Sequence, residues 1–379
     1  MAVLSPRAAA GADQPAAKVP EQGAKAKAAT GSCPFVRGQH VKLPGGQVNY
    51  LLQGPKSPAP LVVCIHGLNG SIASFSALEP ELEAAGFRVL LFDLYGFGLS
   101  SASRGRLNPR TYVEELAGLL DALDLQPGEQ CMLLGFSMGG IVAVEFAKRY
   151  PERVAKVLLV APGGLLKKAE TPCAPLLFGC LRTRLGCCLL QLAACLVCCC
   201  GCPLRRALRK DKAAGHFQPD VRDPDRFQDV GRENLQRFAW DIRRSVVSYL
   251  GAIKGMPLWS DDFRDSYSDL ANSSIPVLFV WGDDDCTVPW AEVGDEVVEL
   301  FKHTEASCIF VSGGGHGLLL EDAEEVGGYA AAWFSNSKES AWCQRLEKSK
   351  LSLPEALESM CTAPKSSSMP PPTALGAIV

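Results

Sequence analysis

The sequence predicts an α/β fold: a mostly parallel, eight-stranded sheet with helices on both faces and an inserted helical cap. Three observations carry this expectation. From residue 61 onward, short continuous apolar runs alternate with amphipathic stretches of helical period. The alternation lapses between residues 163 and 270 and then resumes. Turns bearing Gly, Ser, Asp and His follow the apolar runs, which is where open parallel sheets place their functional groups. With 379 residues and 47% hydrophobic content, the chain can bury one sizeable core and carry an insertion.

Each element has a local reason. Residues 1–33 lack large apolar side chains and periodicity, so a disordered tail is expected there. "FVRGQHVKL", "PGG" and "QVNYLLQG" read as a β-hairpin around a Pro-Gly-Gly turn. "LVVCI" (61–65) is a short buried strand, "FSALEPELEAAG" an amphipathic helix ending at Gly86, and "RVLLFD" the next strand. In "NPRTYVEELAGLLDALDL", Asn108 is the N-cap and Pro109 the first helical residue. "CMLLG", "VAKVLLVAP", "IPVLFVWG" and "SCIFVSG" are further strands, with helices over "GGIVAVEFAKRY", "AEVGDEVVELF" and "EDAEEVGGYAAAWF". The core is therefore expected over 34–162 and 271–338, with the cap at 163–270. The tail 339–379 has one short helix at most and ends in a disordered "SSSMPPP" stretch.

Net charge is −3, so composition gives no reason to expect a nucleic-acid partner. Sixteen cysteines in a chain of this length do not describe a small disulfide scaffold. With no apolar signal segment visible, reduced thiols and an intracellular, cytoplasmic location are expected.

The chemistry concentrates around "GFSMGG". Gly135-Phe136-Ser137-Met138-Gly139 follows one strand and opens one helix. Such a turn exposes the serine oxygen above the sheet and puts the Met138 amide at a helix N-terminus, where the dipole favours an anion. A serine hydroxyl needs a base. Of five histidines, His316 sits in "SGGGHG" just after the last core strand. His66 directly follows the strand at 61–65 and fits a prop for the loop "HGLNG" rather than a base. The base needs an acid to hold its tautomer. "WGDDDCTVP" offers Asp285, with Asp283 and Asp284 as alternatives. The Leu68 amide, after Gly67, pairs with that of Met138 as an oxyanion hole. Asp93 opens "DLYGFGLS" and is expected to orient that loop under the site. Cys131 and Cys286 lie near these motifs with no base at useful spacing and read as packing residues.

With "HGLNG", "DLYGFGLSS", "GFSMGG", "WGDDDCTVP" and "GGGHG" in this order, the chain resembles the α/β-hydrolase superfamily over about residues 36–336, the insertion excepted. It is most similar to the serine-hydrolase branch with a cap domain, which includes monoacylglycerol lipase-like enzymes and carboxylesterases. The resemblance implies Ser137 as nucleophile, His316 as base, Asp285 as acid, and the Leu68 and Met138 amides as oxyanion hole. It implies no metal or organic cofactor. Serine at the nucleophile position departs from epoxide hydrolases and haloalkane dehalogenases, which use aspartate there.

Within the insertion, "LGCCLLQLAACLVCCCGCPL" (185–204) is apolar and flanked by arginines. Its flanks must rejoin one sheet, so a single membrane crossing is excluded. The remaining readings are a cap helix packed over the site, shallow membrane insertion, and S-palmitoylation at Cys187, Cys188, Cys195, Cys198, Cys199, Cys200 or Cys202. Residues 163–254 hold sixteen Lys and Arg against eight Asp and Glu, which favours peripheral contact with an anionic membrane. "CCCGC" lacks the spaced pairs of a zinc site. The expectation is thus a serine hydrolase of carboxylic esters with a small-molecule or lipid-like, acylglycerol-type substrate. Thioesterase, acyltransferase and carbon–carbon hydrolase chemistry on the same triad, or a non-catalytic binding module, are the alternatives.

Overall fold

A computed structural model describes residues 38–56, 58–101, 106–123, 129–166, 220–222, 241–258, 262–335 and 340–362. The expected N-terminal tail at 1–33, the Cys-rich segment 185–204 with its seven cysteines, and the "SSSMPPP" stretch lie outside the described residues.

The strands are β1 (Gln39–Leu43), β2 (Gly46–Gln53), β3 (Leu61–Ile65), β4 (Arg88–Phe92), β5 (Cys131–Phe136), β6 (Val154–Val160), β7 (Val277–Gly282), β8 (Ser307–Val311) and β9 (Leu351–Ser352). They form one sheet in the order β1-β2-β4-β3-β5-β6-β7-β8-β9. The six strands from β4 across to β8 run parallel; β2 pairs antiparallel with both β1 and β4, and β9 pairs antiparallel with β8. All eight expected strands form, and the two-residue β9 adds a ninth.

The helices are α1 (Glu79–Ala84), α2 (Pro109–Ala122), α3 (Met138–Arg149), α4 (Ile242–Gly255), α5 (Arg264–Ala271), α6 (Trp290–Phe301), α7 (Leu318–Glu321), α8 (Ala323–Ser335), α9 (Ala341–Ser349) and α10 (Leu353–Thr362). Because successive side chains in a strand point to opposite faces, the buried strands feed two apolar layers. Val63, Leu133, Leu159 and Phe279 pack on one face, with α2, α3 and α6. Cys64, Leu134, Leu158 and Val280 pack on the other, with α8. In α2, Asn108 caps as the sequence indicates: its side chain accepts from the Thr111 amide at 3.0 Å.

Three expectations need correction. The helix read over "FSALEPELEAAG" shrinks to the six residues of α1, preceded by a 3₁₀ turn at Ile72–Phe75. Pro80 is the cause: it has no N–H, and its ring clashes with the carbonyl four residues back. The C-terminal tail is not one short helix, since 341–362 form α9, β9 and α10. Cys343 and Leu346 bury on one face of the sheet, Leu353 and Ala356 on the other. The core also resumes before residue 271. Met256, Phe263, Tyr267 and Leu270 are already part of the main apolar layer, and the Tyr267 hydroxyl donates to the Gly163 carbonyl at 2.7 Å.

Strand order reverses around β3: its chain neighbour β4 lies on one side and β5 on the other. The carboxyl ends of β3 and β5 therefore flank the crevice that parallel sheets open at such a switch point. His66 to Leu68 leave one of these ends and Ser137 leaves the other.

Candidate active site

Ser137 sits between β5 and α3 at φ 52, ψ −120, outside the ordinary regions for a residue with a side chain. Such a conformation costs about 1–3 kcal/mol and persists only where the surroundings over-determine it. Here three backbone hydrogen bonds hold it. The Ser137 amide donates to Val160 O at 3.0 Å, and Ser137 O accepts from Gly140 at 2.9 Å and Gly163 at 3.1 Å. The flanking glycines are required by close approach. A Cβ on Gly135 would lie 2.7 Å from Gly139 O, and one on Gly139 would lie 2.6 Å from Ile65 C. The tight fit of α3 against β3 is what presents Ser137 at the crevice, where it stays partly exposed.

The loop after β3 comes alongside. A Cβ on Gly67 would lie 3.1 Å from Ser137 Cβ. Leu68 follows in that loop, and Met138 is the first residue of α3, so its N–H has no acceptor within the helix. His66 is fully buried and uses both ring nitrogens. Nε2 lies 2.9 Å from the Leu94 amide, which can only donate, so the proton sits on Nδ1 and faces Gly67 O at 2.7 Å. This neutral ring ties the 66–68 loop to the 93–100 loop. Asp93, equally buried, organises that second loop. Its Oδ2 accepts from Leu99 N and Asn49 Nδ2, and its Oδ1 from Ile72 N, each at 2.7 Å.

At the ends of β7 and β8 the structure brings His316 and Asp285 together. His316 Nδ1 lies 2.8 Å from Asp285 Oδ2. Asp285 Oδ1 accepts from the Thr287 and Val288 amides, both at 2.8 Å, so its position is fixed on both oxygens. The His316 ring bonds Asp285, while Asp283 is directed elsewhere. Asp283 Oδ1 accepts from Gly313 N at 2.6 Å, and the Asp284 amide donates to Gly314 O. With Nδ1 engaged, His316 has Nε2 for a substrate-side proton. Its ring packs against Phe136, the neighbour of Ser137, with centroids 4.9 Å apart. Burial drives the imidazole's pKa down, but the charge and hydrogen bond of Asp285, with the charge of Asp220, outweigh it and hold the pKa above the ordinary histidine value.

Sequence reasoning missed three groups here. Asp220 accepts from the His316 amide at 2.9 Å and the Cys286 amide at 3.2 Å through one oxygen. No local pattern in the insertion marks it. Phe136 occupies a variable position of the Gly-x-Ser-x-Gly pattern, so nothing in the motif marks its contact with His316. Glu115, buried in α2, accepts from the Tyr95 amide at 3.0 Å, and burial pushes its carboxyl well above the usual range. Its signal was present, because a glutamate three residues after Tyr112 falls on the helix's apolar stripe. His40 lies in β1 and His303 follows α6, both apart from these loops in the chain; His216 lies outside the described residues. Among the described residues, no cluster of His, Cys, Asp or Glu is arranged to hold a metal, and no helix is long and apolar enough to cross a membrane.

A family model described as "Serine aminopeptidase, S33" matches residues 56–323. The 2-hydroxy-6-oxononadienedioate/2-hydroxy-6-oxononatrienedioate hydrolase of Paraburkholderia xenovorans is 29% identical over 303 residues, 77% of this chain and 91% of that protein. The bromoperoxidase structure from Bacillus anthracis superposes with a TM-score of 0.55 at 25% identity, covering 77% of this chain and 96% of that one. A carboxylesterase structure from Nitrososphaera gargenis shares the fold with a TM-score of 0.58 at 19% identity, covering 78% of this chain and 98% of that one.

Proposed function

Because this chain belongs to the "Serine aminopeptidase, S33" family of α/β-hydrolases, we propose that it is a serine hydrolase of carboxylic esters with a lipid-like acyl group. The observation that carries the reading is the Asp285–His316 hydrogen bond beside a serine held at positive φ. Ser137 Oγ attacks the ester carbonyl while His316 Nε2 takes its proton and returns it to the leaving alcohol. Asp285 keeps the Nδ1 proton in place and stabilises the imidazolium. The Leu68 and Met138 amides receive the oxyanion. Water activated by His316 then releases the acid, and Ser137 is regenerated.

The acyl preference rests on α4. Tyr249, Leu250 and Ile253 form a buried apolar cluster against Leu68 and Val246, and Val247 is exposed on the same helix. An apolar wall that touches the oxyanion loop suits a hydrocarbon chain. A panel of nitrophenyl esters of increasing chain length tests this: kcat/KM should rise from acetyl to medium-chain acyl. A flat or falling series removes the lipid-like assignment. Aminoacyl anilides belong in the panel because of the family's description.

Carbon–carbon bond hydrolysis on the same residues is the second reading, favoured by the Paraburkholderia relative. Turnover of a vinylogous 1,5-diketone exceeding that of every ester would select it. Peripheral membrane contact through residues 185–204, with acylation of its cysteines, belongs to the ester reading. Co-sedimentation with anionic vesicles that persists after deletion of 185–210 would dismiss it.

A further inference from the structure

One oxygen of Asp220 reaches both halves of the acid–base pair. Asp220 Oδ2 accepts from the amide of His316 itself and from that of Cys286, the residue after Asp285. These amides belong to different loops, one leaving β8 and the other leaving β7. A single carboxylate oxygen thus cross-links the main chains that carry base and acid. Asp220 is buried, and its Oδ1 has no hydrogen-bond partner among the described residues. Burying a carboxylate oxygen unpaired is unfavourable, so the site is not one that packing alone would select.

The segment is anchored on its other side as well. Arg222 donates from Nη1 to Ser312 O at 3.1 Å and forms an ion pair with Asp322. Residues 220–222 therefore grip the 312–316 loop at both ends. The grip explains the third glycine of "GGGH". A Cβ on Gly315 would lie 3.0 Å from Asp220 Cβ and clash with its carbonyl oxygen. The loop approaches this segment too closely for a side chain.

We propose that Asp220, contributed by the insertion, is a positioning residue that locks the Asp285 and His316 loops in the register their hydrogen bond requires. The proposal rests on the ester hydrolase reading for the roles of those two residues. Asp220 touches no reacting atom and acts through the backbone of the base. Its charge adds to that of Asp285 at the imidazole, in the same direction. Asp220 and Asp285 are the charged groups that act on this ring, while Phe136 packs on its face.

The test uses the full-length chain and three variants: Asp220→Ala, Asp220→Asn and Asp285→Ala. Asparagine keeps an acceptor oxygen and drops the charge; alanine drops both. Two quantities are read. One is turnover of a short-chain nitrophenyl ester, and the other is the low-field proton resonance of His316 Nδ1–H, identified by its loss in Asp285→Ala. Asp220→Ala should lower kcat about 10- to 100-fold, as misplacement near 1 Å does, with KM changed less than about threefold. Its low-field resonance should broaden or vanish. Asp220→Asn should restore the resonance and recover at least about tenfold of the lost kcat. If Asp220→Ala does not fold, Asp220→Ser takes its place, because the shorter hydroxyl cannot span both amides.

A folded Asp220→Ala with the parental resonance overturns the proposal, whatever its activity. So does an Asp220→Asn that folds and is no better than alanine. A parent that shows the resonance and turns over no ester contradicts the ester hydrolase reading, and the resonance still decides the role of Asp220.

Discussion

Replacing Gly139 by alanine sets two forces against each other. Helix propensity favours alanine over glycine by about 1 kcal/mol inside a helix. Packing opposes it. A Cβ on Gly139 would lie 2.6 Å from Ile65 C and 2.7 Å from His66 O, and closer still to Ile65 O. These are backbone atoms, which cannot rotate away. Restoring an ordinary separation of roughly 3.5 Å requires α3 and the end of β3 to part by more than about 1 Å. Those two elements carry the Met138 and Leu68 amides. A displacement of that size at a reacting centre costs about 10²-fold in rate, or about 2.7 kcal/mol. The overpacking itself should cost about 1–3 kcal/mol of stability. Gly118 in α2 is the comparison. A Cβ there meets only the Leu43 methyls, at 3.6 and 3.8 Å. Gly118→Ala should gain up to about 1 kcal/mol with kcat unaltered. Ester kcat/KM and thermal melting, read on both variants, decide the matter. A Gly139→Ala protein with parental kcat and a raised Tm would refute the steric argument.

Further outcomes follow from the same structure. His316 must be neutral to act as a base, and its pKa is held above the ordinary histidine value, so the acidic limb of kcat/KM should fall above that value. Asp285→Asn removes both the charge and the carboxylate bond, which should move the limb downward and cut kcat by about 10⁴-fold; a limb that stays in place counts against the pairing. His66→Ala leaves the Leu94 amide and the Gly67 carbonyl without their buried partner, which should cost about 1–3 kcal/mol per group in a denaturant titration. The raised Glu115 carboxyl means the folded chain holds that proton more tightly than the unfolded one. Stability from this group is full below the ordinary carboxylate value and declines as pH rises toward the raised one. Glu115→Gln should flatten the decline, and a melting profile unchanged across that window would contradict it. Phe279→Ala empties a fully buried site between the sheet and α6 and should cost about 3–5 kcal/mol; a loss under 1 kcal/mol would mean the face is looser than it looks.

The parallel core was legible because β3, β4, β5 and β7 are continuous apolar runs, as strands buried on both faces must be. Asn108-Pro109 announced α2 by side-chain chemistry alone. The C-terminal helices were not legible because each buries only a narrow face: α9 rests on Cys343 and Leu346, too few for a periodic signal. The short α1 shows the opposite error, an apolar period that Pro80 interrupts. At the site, the motif residues stood in order along the chain. The choice among Asp283, Asp284 and Asp285 needed three dimensions, since adjacent loop residues differ only in direction. Asp220 could not be read at all, because its partners are backbone amides ninety-six and sixty-six residues away.

The most direct measurement is fluorophosphonate labelling of the folded protein, with the adduct mapped by peptide mass. A single adduct on Ser137, absent in Ser137→Ala and slowed in Asp285→Ala, is the expected result. A cooperatively melting protein that carries no adduct on Ser137 would contradict an activated serine at this site, and with it the proposed hydrolysis.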